Sequence, residues 1–303
     1  MKAARAGFAL DNPYVQMHIC VLLWGFTAIL GKLISLAAIP LVFWRLLIVI
    51  LCLLAWPPVW RCLAGVRRRD VVIAMGAGVL VTLHWISFYA SIKLSNASVG
   101  VTSIALAPVF LAFVEPILSR RPFVRREALL ALVAIPGVIL VVGGIPANML
   151  GGFAVGGLAA LFVAVFGIVN KQLTMRVPAL ALTVIEMGTG AGLLGVLIPA
   201  WHSLGVAFVV PGRDDLAWLL ILSIACTLLP FALAMVALRK LSTFSAQLAV
   251  NMEPVYAVAI ASTVLGESRQ LQWWFYLGVA LILGSVLVNA RPRAVDRPCA
   301  GPL

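Results

Sequence analysis

The chain has 303 residues, of which 63% are hydrophobic and 11% charged. A soluble domain is about 45–50% apolar and about 25% charged. No soluble core could hide this much apolar side chain, so a water-soluble fold is excluded and the bilayer must be the solvent. The net charge of +12 could suggest nucleic acid. The Lys and Arg residues sit in short clusters between apolar runs, however, not along one polar face, and this excludes a nucleic-acid partner. The five cysteines (Cys20, Cys52, Cys62, Cys226, Cys299) have no metal-like spacing and read as free thiols. No metal and no cofactor is expected.

A bilayer core about 30 Å thick takes about 20 helical residues to cross. Long unalternating apolar runs cross it as helices, because a helix satisfies its own backbone. Ten such runs are predicted, over 15–35, 40–58, 71–92, 97–118, 127–145, 152–170, 179–199, 216–238, 243–265 and 271–290. The first, from Val15, is too long for a signal-peptide core and lacks a small-residue cleavage site, so it is expected to stay as a span. The segment Trp201 to Asp215 carries Pro211-Gly212 and reads as a turn-containing outer loop. The N-terminus, 1–14, is expected to be cytoplasmic, and the tail, 291–303, cytoplasmic and disordered.

Charge placement orients these spans. With the N-terminus inside, 17 of the 22 Lys and Arg fall on the cytoplasmic side and 3 outside (Lys93, Arg213, Arg269). Lys32 and Arg45 lie within spans. The positive-inside rule therefore puts both termini in the cytoplasm of a multi-pass inner (plasma) membrane protein.

The two halves repeat. Lys-Leu-Ser recurs at Lys93 and Lys240, then Ser98 and Ser245, then Pro108-Val109 and Pro254-Val255. Five spans per repeat is an odd number, so the second copy enters from the opposite side. The expected fold is all-α: two five-helix inverted-topology repeats, over 15–145 and 152–290. Secondary transporters commonly have this architecture, with the substrate near the midplane between the halves.

These motifs resemble the EamA family of the drug/metabolite transporter superfamily. The resemblance rests on Leu22 to Lys32 (LLWGFTAILGK), Arg45 in FWRLL, the stretch ending at Pro108, Glu253 to Glu267 (EPVYAVAIASTVLGE) and Leu277 to Asn289. It implies a secondary transporter, with an exporter of amino acids, metabolites or drugs as the first reading, and Glu253 in an otherwise apolar span adds proton exchange as the expected drive. The alternative is uptake or exchange of an organic anion or phosphorylated metabolite. It also implies that the first, third, fourth, sixth, eighth and ninth spans line the cavity. One departure from the family pattern stands out. Gly266-Glu267 ends the ninth span, but Arg120-Arg121 occupies the matching place in the first half, with an acid earlier at Glu115.

Polar groups inside spans are costly, so each is a functional candidate. Glu253 heads the candidates for binding substrate or a proton. Gln247 and Asn251 stand beside it, four apart and so on one helix face. Pro254 follows and frees a backbone carbonyl. Trp85 and Tyr89 in the third span and Trp24 in the first could stack a substrate or cover a cation, although ordinary packing explains Trp85 equally well; His84 could carry a proton, but a lone His is more often a hydrogen-bonded core residue. Lys32 and Arg45 either attract a carboxylate or phosphate, or Lys32 snorkels outward and Arg45 pairs with Glu267. For the remaining charges the expectation is a swapped pair of gates: Arg45 with Glu267 outside, Glu186 with Arg121 inside. Gly152 with Gly156, and Gly188 with Gly192, are GxxxG spacings that allow close helix contact within the fold or in a homodimer.

Other classes are disfavoured. There is no HExxH, no Gly-x-Ser-x-Gly and no ATP-binding loop, so neither an enzyme nor a self-contained pump is expected. Neither a repeated polar filter nor a ring of charge supports a channel, and a scaffold would not need the inverted repeat.

Overall fold

The computed structural model describes residues 12–250 and 252–289, and among these every regular element is helical. The helices of the first half are α1 (Pro13–Leu33), α2 (Ala38–Leu54), the short α3 (Pro58–Ala64), α4 (Arg68–Leu94), α5 (Ala97–Ile104), α6 (Ala107–Leu118) and α7 (Arg125–Gly144). Those of the second are α8 (Leu150–Thr174), α9 (Ala179–Val196), the short α10 (Ile198–Trp201), α11 (Arg213–Ser223), α12 (Leu229–Lys240), α13 (Thr243–Val250), α14 (Glu253–Val264) and α15 (Trp273–Asn289). Every apolar run named above is thus occupied by helix.

Six stretches are long and apolar enough to cross a bilayer: Pro13–Leu33, Arg68–Leu94, Ala97–Leu118, Ala147–Thr174, Ala179–Val196 and Arg213–Lys240. α2 and α3 meet the same criterion only when taken together, and they bend by 93° at their junction, the shape of a broken span or of a re-entrant loop. The helices Glu253–Val264 and Trp273–Ile282 are apolar but shorter. Side chains such as Val72, Ile117, Ile139 and Val196 are exposed on the outside of the bundle. A soluble protein would bury them; in a membrane they meet lipid. The termini, 1–11 and 290–303, lie outside the described residues.

Local chemistry explains the breaks. Asn12 caps α1 by accepting from the Tyr14 N–H, and Pro13 opens the helix, where its missing N–H costs nothing. Pro108 stands just inside α6, and the helix is interrupted immediately before it, between α5 and α6. Pro254 does the same inside α14, after the interruption between α13 and α14. Between α11 and α12 the chain widens into a π-turn, Ile224–Leu228, directly before Leu229 and Pro230. A proline removes one N–H and crowds the carbonyl a turn earlier, and a π-turn is one way for the helix to absorb that.

Small residues set the closest helix contacts. Gly152 on α8 lies against Ser95, where an added Cβ would come within 2.7 Å of the serine Cβ. Gly278 on α15 lies against α7, where a Cβ would come within 2.6 Å of the Val141 nitrogen. The Gly152 and Gly156 spacing is therefore used within the fold, between α8 and the α4–α5 region. Of the other pair, Gly188 only touches Ile50 and Gly192 faces open space. Gly190, between them, makes the close contact instead, against Thr82 and Leu46.

Candidate functional site

A central cavity brings both halves together. Its volume is about 120 Å³, room for several waters or a small solute. Its wall comes from α1 (Met17, Trp24, Thr27), α2 (Arg45), α4 (His84, Trp85, Phe88), α5 (Ile104), α8 (Val163, Phe166), α12 (Phe231, Met235, Leu238), α13 (Ala246, Val250) and α14 (Glu253). These are the spans that the family resemblance implies, with α2 added through Arg45. Met17, Leu238 and Ala246 carry the cavity towards the end of the bundle where α1 begins and α12 ends.

Arg45 is firmly held. It is buried, and its Nε donates to Thr227 Oγ1 at 2.7 Å while Nη1 donates to Tyr89 Oη at 2.8 Å. Its guanidinium carbon lies 4.0 Å from the centre of the Trp85 ring. A guanidinium has five N–H donors, so these two bonds leave donors on the face that lines the cavity. Thr227 is available because of the π-turn: its hydroxyl donates to Leu222 O at 2.6 Å, five residues back, and its oxygen accepts from Arg45.

Glu253 begins α14, directly after the helix break, and is buried on the cavity wall. Among the described residues its carboxyl has no hydrogen-bond or ion-pair partner, and it does not pair directly with Arg45. Gly25 lets α1 press on this turn, where an added Cβ would meet Tyr256 Cβ at 3.2 Å. His84 joins its Nδ1 to Ala159 O at 2.9 Å; a carbonyl only accepts, so Nδ1 carries the hydrogen. Trp24 lines the cavity, and Tyr89 stands behind Arg45 as its acceptor. Asn251 lies outside the described residues, as does the Gln247 side chain. Lys32 is exposed at the end of α1, away from the cavity.

The expected gate pairs do not form. Arg45 is satisfied by Thr227, Tyr89 and Trp85, not by Glu267. Glu267 instead caps α5: Oε1 accepts from the Ala97 N–H, and Oε2 accepts from the Ser98 N–H and hydroxyl, at 2.7–2.9 Å. The free N–H groups of a helix start are a better match for a carboxylate than a distant guanidinium. Gly266, at φ 66°, makes the left-handed turn that aims Glu267 back at α5. Arg121 pairs with Glu115 at 3.3 Å, within its own half. Glu186 is buried elsewhere, against α4.

Thr227 and Thr27 are absent from the sequence-based candidates. A signal for Thr227 exists in Pro230, a mid-span proline that disturbs the turn before it. Thr27 carries no such signal.

A helical bundle with apolar outer surfaces and a central cavity shared by two halves defines a polytopic membrane protein of the solute-carrying class. The chain belongs to the EamA-like transporter family, whose model matches residues 13–143 and 150–291. In fold it is similar to a protein of known crystal structure over 91% of this chain and 95% of that one, with a TM-score of 0.66 and 16% identity. No curated protein is matched by its sequence.

Proposed function

We propose that the protein is a secondary transporter that moves a small solute by alternating access. In this reading ten spans form two inverted five-helix repeats, over 15–145 and 152–290, with both termini cytoplasmic in the inner membrane. The cavity then opens towards the cytoplasm, and export of amino acids, metabolites or drugs in exchange for protons is the favoured direction. The observation that carries the reading is the cavity itself, built by both halves, with a buried cation and a buried acid on its wall. Arg45 offers its remaining donors to a solute carboxylate or phosphate, and Glu253 offers a site for an ammonium or a proton.

Liposomes loaded with a mixed pool of amino acids, sugar phosphates and cationic dyes test this. Efflux of one class that responds to a pH gradient and fails in Glu253→Gln is the expected result. Arg45's spare donors also favour a second reading, exchange of an organic anion. Efflux of anions that needs Arg45 but is indifferent to Glu253→Gln would select it.

A further inference from the structure

Glu186 is the eighth residue of α9 counted from Ala179, as Arg45 is the eighth of α2 counted from Ala38. Like Arg45 it is fully buried, but neither carboxyl oxygen makes a bond of ordinary hydrogen-bond geometry among the described residues. The Asn170 side chain stands near enough to interact with the carboxyl, although neither oxygen makes a bond of ordinary hydrogen-bond geometry. Asn170 Oδ1 is itself buried without a donor, while its Nδ2 donates to Met235 Sδ at 3.4 Å. Met235 lines the central cavity, so this cluster sits directly behind the cavity wall. Gly78 lets α4 pack closely on the backbone of α9 here, where an added Cβ would come within 2.7 Å of the Glu186 backbone O.

Among the described residues, no packed element brings a free charge to Glu186. Asp70 on α4 pairs with Arg176 at 3.5 Å, His84 is bound to Ala159 O, and Lys93 donates to Ile34 O. Arg45 on α2 is held by Thr227 and Tyr89. Arg61 on α3, Arg68 and Arg69 on α4, and Lys240 on α12 are exposed. Lys171 on α8 donates to Leu238 O and Leu241 O, and Arg239 on α12 donates to Val177 O. A buried carboxylate without donors or a counter-ion is costly. A neutral carboxyl has one O–H to give, and Asn170 Oδ1 is an acceptor that lacks one.

We propose that Glu186, with Asn170, is a proton-binding site behind the cavity wall, distinct from Glu253. The proton is taken from water and returned to water, and no other bond changes. Only the use of that proton, in coupling, rests on the transporter reading.

Infrared spectra of the protein in lipid test the site without any solute. The wild type should show a protonated carboxyl band at neutral pH that disappears in Glu186→Gln and persists in Glu253→Gln. Gln keeps a donor for Asn170 Oδ1, so the variant should fold; thermal unfolding checks this. A spectrum unchanged by Glu186→Gln overturns the proposal. In liposomes loaded with the mixed amino-acid pool and a pH-sensitive dye, Glu186→Gln should lose the response of efflux to a pH gradient. An undiminished response overturns the coupling role. Absence of efflux from the wild type would count against the transporter reading, while the infrared result still judges the site.

Discussion

Arg45 and Glu186 hold equivalent places in the two halves and have opposite surroundings. Arg45 has two hydrogen bonds and an aromatic face, and it reaches the cavity. Glu186 has neither hydrogen bond nor counter-ion among the described residues, and it stands behind the wall. A second contrast follows the same division. Glu267 caps the start of α5 from the other half. At the start of α13 the hydroxyl of Ser242 accepts from the Ser245 N–H, and Arg121 pairs with Glu115 instead. Repetition fixes where polar groups fall, but their surroundings decide what each one can do.

The largest expected effect comes from breaking the Arg45 cluster. Arg45→Ala leaves Thr227 and Tyr89 buried without their donor and should cost about 3–5 kcal/mol, from two lost hydrogen bonds to a charged group at about 1.5–3 kcal/mol each. Thermal unfolding in detergent measures it, and solute efflux should be lost as well. Next is Glu267→Gln, which keeps one acceptor oxygen where two were used. The expected loss is about 1–2 kcal/mol, in the range of a lost helix cap, read from the same unfolding curve. Gly152→Ala should cost about 1–3 kcal/mol by overpacking α8 against Ser95, visible as a lower melting temperature. Arg121→Ala should be the mildest. Its partner contact is at 3.3 Å and its side chain is 58% exposed, so the change should be under about 1 kcal/mol. An effect as large as that of Glu267→Gln would end the contrast between the two helix starts.

Much of the fold is legible in the residues. Apolar runs mark the helices because a membrane helix needs an unbroken apolar length. Pro108 and Pro254 mark the two interrupted helices because proline cannot complete the preceding turn. Glu253, His84, Trp85 and Trp24 are candidates from sequence that the fold gathers on one cavity. The partners of Arg45, Glu267, Glu186 and Arg121 are not legible. Shared depth suggests pairings among them, but depth does not say which face of a helix a side chain takes or which neighbour reaches it first.

By itself the sequence determined the solvent, the helical class, the repeat and the family, because these follow from composition, period and order along the chain. Only the tertiary structure decided that Thr227 and Tyr89 hold Arg45, that Glu267 caps α5, and that Glu186 stands apart from the charges around it. Those choices depend on distances of a few ångströms between helices far apart in the chain, and local sequence carries no record of them.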